Sequence, residues 1–345
     1  MLARAALAVP TVLCRMRVLP AWKAADTVWC RLAWLITLAV LLVGGRAVSA
    51  QPLGQQLLLW QQLQERASYH GSFVYERKGV FSTHEVWRQA AADGNYRERF
   101  LRLNGSRLEA LRHNGQLACM AHARPGALLG GPAEPALPLN RLDLERLETG
   151  YHTEHIGRGR VAAREAAILL FTPRDIHRYP LEVHFDLDTG VVLKSLLLNE
   201  EGELLERFQF VSFTVGEQPD DALQVEGCQS VLAGARLKDA PALGWQAAWV
   251  PDGFVPVSER LQEQGGISSR LFFDGLAHFS IFVTQTERGA MDLEHRQLGP
   301  TVVISRPMEQ DTLHYMVTVL GEIPPATAQR IALSVSLDDH GSKDD

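Results

Sequence analysis

The sequence predicts a mainly β protein of the α+β class: a long antiparallel sheet preceded by one helix, then a smaller domain of sheet and helix. Three observations predict it. Apolar and polar residues alternate at a period of two in many short runs from residue 71 onward. Asn104-Gly105 and Asn114-Gly115 fall between such runs, and Asn-Gly is the strongest short-range hairpin signal. Strong helical patterning is confined to residues 53–67 and 324–335.

The elements follow in order. Residues 1–50 read as a signal peptide. Basic residues end at Arg31, an uncharged run follows from Leu32 to Gly44, and Val48-Ser49-Ala50 supplies a cleavage site after Ala50. As a helix that run rises about 20 Å, short of the roughly 30 Å hydrocarbon core of a bilayer. In residues 53–67, Leu57, Leu58, Leu59, Trp60 and Leu63 are set against Gln55, Gln61, Gln62, Gln64 and Glu65, the pattern of an amphipathic helix. Strands are expected at 71–75, 80–88, 96–103 and 116–120, with one more between the two Asn-Gly turns. Residues 121–140 carry Pro125, Pro132, Pro135 and Pro138 and cannot be a central strand. Leu142–Thr149 reads as a short helix or an edge piece. Strands resume at 168–171, 181–187, 191–198 and 204–215, with turns at Asp188-Thr189-Gly190 and 199–202. By composition alone, 161–170 (VAAREAAILL) favours a helix.

The first domain is therefore assigned to 51–217, a linker to 218–244, a second domain to 245–337 and a polar tail to 338–345. The second domain has strand patterns at 254–260, 268–273, 277–284, 301–306 and 313–320. Its closing helix opens at Pro324-Pro325, where a missing N–H costs nothing, and buries Ala328, Ile331, Ala332 and Val335.

Composition narrows the function. The chain has 345 residues, 46% hydrophobic and 21% charged, enough for two ordinary cores. Its formal charge of −6 becomes −11 without the basic leader, which argues against nucleic acid as a partner. After the leader, Cys119 and Cys228 remain. In an oxidising compartment they form either one disulfide, worth roughly 4 kcal/mol, or two unrelated buried thiols.

Three apparent motifs fail their structural requirements. Gly157-x-Gly159 has dinucleotide-loop spacing, but Tyr151-His152-Thr153-Glu154-His155 before it makes a poor buried strand. His152 and His155 have no further clustered ligand to complete a metal site. Asp186-x-Asp188-x-Gly190 has its glycine one position early for a calcium loop. Neither a P-loop nor a G-x-S-x-G elbow occurs. A binding protein is expected, with no catalytic residue, cofactor or metal.

A set of segments then carries a resemblance: Tyr69-His-Gly-Ser-Phe-Val-Tyr75, Arg174-Asp175-x-His177-Arg178-Tyr179, Leu204-x-Glu206-x-Phe208-x-Phe210, Pro251-x-Gly253-Phe254, Asp274-Gly275-Leu276-Ala277 and Val319-x-Gly321-Glu322-Ile323-Pro324-Pro325. In this order and spacing they resemble the MucB/RseB family of periplasmic regulators of the envelope-stress (sigma-E, or AlgU) response. The resemblance implies a LolA/LolB-like, half-open antiparallel barrel with packed helices, plus a smaller sheet-and-helix domain. It also implies a strand after a turn within 161–170, and that reading is preferred over the helix.

The implied partner is the periplasmic segment of a membrane-spanning anti-sigma factor of the MucA/RseA type, shielded from proteolysis and released when lipid or lipopolysaccharide binds. Such a protein needs an apolar hollow. Candidates for its lining are Trp60, Phe73, Tyr75, Trp87, Phe171, Phe185, Phe208 and Phe210. Arg158, Arg160, Arg164, Arg174 and Arg178 cluster in sequence as a candidate basic patch for an anionic lipid. The alternative is a periplasmic carrier of lipid or lipoprotein with no regulatory partner. Whether the chain forms a homo-oligomer is left open.

Overall fold

A computed structural model describes residues 53–121, 143–230, 244–262, 267–287, 294–310 and 313–337. The expected leader, most of the Pro-rich loop, the later part of the expected linker and the polar tail lie outside the described residues.

Helix α1 (Leu53–Arg66) buries Leu57, Trp60 and Gln64, one stripe at helical spacing. Leu58 and Leu59 were expected on that stripe; they stand out into solvent, 50% and 46% exposed. Consecutive helical residues are 100° apart, so they cannot all share one face.

The chain then makes a meander: β1 (Tyr69–Arg77), β2 (Val80–Ala90), β3 (Tyr96–Arg102), β4 (Glu109–His113) and β5 (Gln116–Ala121). The β4–β5 hairpin turns on Asn114 and Gly115, both at positive φ, as a two-residue hairpin turn requires. A short helix α2 (Leu144–Gly150), N-capped by Asp143, leads into β6 (Tyr151–Val161), β7 (Arg164–Pro173), β8 (Leu181–Asp186), β9 (Val192–Leu198) and β10 (Leu204–Val215). The segment that composition favours as helix is thus the β6–β7 hairpin, turning at Ala162 and Ala163, both at positive φ. Tyr151–His155 do form a strand, but an edge strand, which accounts for their polarity.

The expected linker begins too early. Residues 220–223 make a 3-10 turn that buries Leu223, and β11 (Gln229–Ser230) pairs with β5. Cys119 and Cys228 are disulfide-bonded there, with Cα atoms 5.5 Å apart. A buried leucine and a covalent bond hold this stretch to the first sheet.

The eleven strands run in the order β11-β5-β4-β3-β2-β1-β10-β9-β8-β7-β6, antiparallel throughout the registers. Five strands separate β3 from β7, yet Phe100 of β3 and Ala166 of β7 enter one apolar cluster. The sheet therefore rolls up. Its edges, β11 and β6, take no further strand among the described residues, so the roll is half open.

The second domain has β12 (Trp245–Ala247), β13 (Val255–Gln262), β14 (Ile267–Phe273), β15 (His278–Thr286), β16 (Glu294–Leu298), β17 (Thr301–Gln310) and β18 (Leu313–Gly321). Helix α3 (Pro325–Ser334) and β19 (Val335–Leu337) follow. Six of these strands form an antiparallel sheet in the order β13-β14-β15-β18-β17-β16, and β12 pairs with β19. Ala328, Ile331, Ala332 and Val335 lie buried against the sheet, as their spacing predicts. Arg306 donates to the carbonyls of Ala332 (2.6 Å) and Val335 (2.9 Å), satisfying the end of α3. Exposed strand β16 was not expected; four of its five side chains face solvent, which leaves no alternation to read.

Candidate functional site

Strand register decides which side chains meet. Phe73 pairs with Phe210, Tyr75 with Phe208, Phe208 with Ser195, Ser195 with Val183, Val183 with Leu169 and Leu181 with Phe171. Directly paired residues share a face, so one concave face runs from β1 to β7. Of the eight aromatic residues put forward, Phe73, Tyr75, Phe171, Phe185, Phe208 and Phe210 lie on it. Trp60 comes down from α1 and stacks on Phe185 at 5.1 Å. The approach is close enough that a Cβ on Gly190 would run into the Trp60 carbonyl. Trp87 does not join them. It pairs with His70 on the opposite face and stacks on that ring at 5.0 Å, with Arg99 above it.

The concave set is packed. Phe73, Phe208 and Phe210 meet within 4.9–5.7 Å between ring centres. With Trp60, Phe171 and Phe185 they are at most 3% exposed. Tyr75 is half-buried and donates to Glu206 at 2.5 Å; burial and then Glu206 hold its hydroxyl far above the usual phenol range. His84 stacks on Phe73 at 5.1 Å, and burial, then Arg102, depress its pKa from 6.5 to about 4.

Open space lies beside this set. A cavity of about 280 Å³ is lined by Leu53, Gly54, Leu57, Leu147, Glu148, Tyr151, His152, Thr153 and Arg174, between α1, α2 and the start of β6. A second, of about 270 Å³, is polar and lies at the other end of α1, among Gln61, Gln64, Glu65, Arg88, Gly94, Asn95, Tyr96 and Asn114. None of the eight aromatics lines either cavity.

The five arginines do not form one patch. Strands β6 and β7 run antiparallel, with Arg158, Arg160 and Arg164 towards their hairpin and Arg174 and Arg178 beyond the other end. Seven residues separate the Tyr151 and Arg158 positions, roughly 23 Å of strand. Arg164 is held by Asp186 and Asp188, both at 2.8 Å, so the acids of the calcium-like motif are ion-paired. Arg158 and Arg160 are exposed. Arg174 donates through Nε to the Glu148 and Tyr151 carbonyls, both at 3.1 Å. Arg178 is 1% exposed. His152 and His155 are an odd number apart in a strand and so point to opposite faces. Among the described residues no His, Cys, Asp and Glu side chains group to hold a metal.

Buried Arg178 instead joins the domains. Its Nε donates to Asp274 at 2.6 Å, its Nη atoms to Asp175 and the Asp252 carbonyl, and its guanidinium lies 4.7 Å from the Phe254 ring. Gly275, beside it, has φ 103°, and a Cβ there would sit 2.7 Å from the Asp143 carbonyl. His177 reaches Thr327 at 2.9 Å, and Tyr179 donates to the Ile323 carbonyl at 3.3 Å. A second cluster lies further along. Arg77 binds Glu206 at 2.6 Å, Thr301 at 3.3 Å and Glu322 at 3.5 Å. The segments that carried the family resemblance are largely the ones that build this seam.

An apolar half-barrel, tied by buried charge to a sheet-and-helix domain, defines a two-domain binding protein. Residues 53–228 match the MucB/RseB N-terminal domain and residues 239–336 the MucB/RseB C-terminal domain, so the chain belongs to the MucB/RseB family. It is 41% identical to the sigma factor AlgU regulatory protein MucB of Pseudomonas aeruginosa over 274 residues, 78% of this chain and 85% of that protein. It is 28% identical to the sigma-E factor regulatory protein RseB of Escherichia coli K12 over 298 residues, 83% and 92% of the two chains. Among solved structures it is similar to MucB in complex with MucA(peri), with 39% identity, TM-score 0.69, and coverage of 83% of this chain and 99% of that one. MucB crystallised alone has 38% identity and TM-score 0.63.

Proposed function

We propose that this chain is a periplasmic regulator of a sigma-E-type factor. It is exported by its N-terminal leader and cleaved after Ala50. It binds the periplasmic segment of a MucA/RseA-type anti-sigma factor, protects it from proteolysis, and lets go when lipid or lipopolysaccharide binds. The half-barrel, which extends to the β11 strand, senses the lipid, and the domain over 245–337 contributes to partner binding. The observation that carries this reading is the match across both domains to a relative whose solved complex holds MucA(peri). A simple carrier needs the first domain alone; here Arg178 and Asp274 bury a charge pair to hold the second against it.

Arithmetic bounds the switch. Swinging a complex from 99% bound to 1% takes a ligand that prefers the released state by about 10⁴-fold, about 5.5 kcal/mol. At about 0.8 kcal/mol per buried methylene, roughly seven methylenes supply it. The test is capture of the host's anti-sigma periplasmic segment by the purified protein, with and without lipopolysaccharide. Capture that lipopolysaccharide relieves is expected. Capture that it leaves unchanged removes the sensor, and absence of capture removes the regulatory reading.

A further inference from the structure

We propose that the cleft between α1, α2 and the start of β6 is the site for a single acyl chain with an anionic head, and that the packed aromatic face is its neighbour rather than its lining. The proposal rests on the lipid-released reading above and locates its sensor. Three observations carry it.

The first is where space exists. The concave aromatics are close-packed, whereas the cleft offers about 280 Å³ with Leu53, Leu57, Leu147 and Tyr151 in its wall. That volume sits just below the roughly 300 Å³ at which small-ligand pockets begin, so it suits one tail and not a bundle of them.

The second is charge. Arg174 also lines the cleft, with Nε pinned by two helix-end carbonyls. Its Nη atoms take no protein partner among the described residues. A guanidinium fixed by one edge and free at the other is prepared for a carboxylate or phosphate.

The third is what the wall is joined to. Leu147 and Tyr151 face the cleft; Leu147 meets the second domain, and Tyr151 meets Arg178, the first-domain residue that ties the two domains together. The Leu147 amide is 2.8 Å from where a Cβ on Gly275 would stand, and the Tyr151 ring lies 5.9 Å from the Arg178 guanidinium. A chain in the cleft therefore bears on α2 and the start of β6, both of which adjoin the domain seam.

The test titrates the exported, purified protein with dodecanoate and with neutral dodecanol, by calorimetry below micellar concentrations. Gly54→Phe fills the cleft; Gly54 has open space beyond its Cβ position, so the fold tolerates the change. It should weaken both ligands by about tenfold, the cost of displacing two methylenes. Arg174→Gln should weaken dodecanoate by about tenfold and leave dodecanol unchanged, since only the charged head loses a partner. In the native protein, dodecanoate should loosen capture of the anti-sigma segment; in Gly54→Phe the same concentration of dodecanoate should not change whatever level of capture that variant shows.

Native affinity in Gly54→Phe overturns the site, as does a loss confined to Phe208→Leu, which would put the chain among the aromatics. A native protein that binds neither ligand also overturns it. Dodecanoate binding that leaves capture unchanged overturns the link to the seam. Chain binding without any capture in the native protein sinks the regulatory reading and leaves the cleft assignment standing.

Discussion

Among the described residues two arginines are almost wholly buried, and they do different work. Arg88 is 3% exposed, pairs with Glu98 at 2.9 Å, donates to the Gln64 and Ala67 carbonyls and lies 3.7 Å from the Tyr96 ring. Arg178 has the same equipment: a buried carboxylate, a backbone carbonyl and aromatic rings. The difference is reach. Arg88 and Glu98 are ten residues apart, on neighbouring strands, and close the end of α1 over the meander. Arg178 and Asp274 are 96 residues apart and belong to different domains. The same chemistry serves in one place to finish a fold and in the other to fix how two folds sit together. Replacing a whole buried pair by well-packed apolar residues is often neutral or stabilising, whereas removal of one partner is penalised heavily, so both act as registers.

That comparison can be broken experimentally. The largest expected effects come from orphaning each guanidinium. Glu98→Ala and Asp274→Ala should each cost about 3–5 kcal/mol in chemical denaturation. They should differ in form: Glu98→Ala lowers the transition of the first domain, whereas Asp274→Ala separates unfolding into two transitions. A single transition in Asp274→Ala, with a loss under about 1 kcal/mol, would show that the seam does not depend on this pair.

His84 sharpens the contrast, because it shares a strand and face with Arg88 but has no carboxylate partner. Burial, then Arg102, depress its pKa from 6.5 to about 4, so the fold holds the neutral ring. The stability this contributes is present above pH 6.5 and drains as pH falls towards 4, by up to about 3 kcal/mol. His84→Gln should flatten that slope in pH-dependent unfolding. An unchanged slope would assign the acid sensitivity elsewhere.

Glu322, at the seam's second cluster, should show the smallest effect and the opposite sign. Burial, then Glu206, raise its carboxyl above the ordinary 4.5. Its contribution is full below pH 4.5 and is lost as pH rises through the folded value. Glu322→Gln should remove that upper slope, with a change within about 1 kcal/mol because the side chain is partly exposed and already paired with Arg77. A steeper slope in the variant would reverse the assignment.

Legibility in the sequence followed locality. Alternation and Asn-Gly turns located most strands of both sheets, because both signals are carried by neighbouring residues. The β6–β7 hairpin was obscured because Ala162 and Ala163 occupy left-handed positions normally given to Gly or Asn, at a cost of roughly 1–2 kcal/mol each. Six concave-face aromatics could be gathered from strand patterns, but Trp87 could not be placed, since its face depends on register with β1. The arginine patch dissolved for a related reason: a hairpin sends residues close in sequence to opposite ends of two strands. The cleft was invisible, since Leu53, Leu147 and Arg174 come together only when α1 and α2 pack beside β6.

What the sequence determined alone was whatever needs only short reach: strand periodicity, turn chemistry, and the burial stripe of the last helix. Tertiary structure decided the rest: that Cys119 finds Cys228, that the interior aromatics fill their own space while a cleft beside them stays open, and that Arg178 serves the seam and not a surface patch. The physical reason is that burial and charge pairing depend on distance in space, and no local pattern records which of many distant carboxylates an arginine will meet.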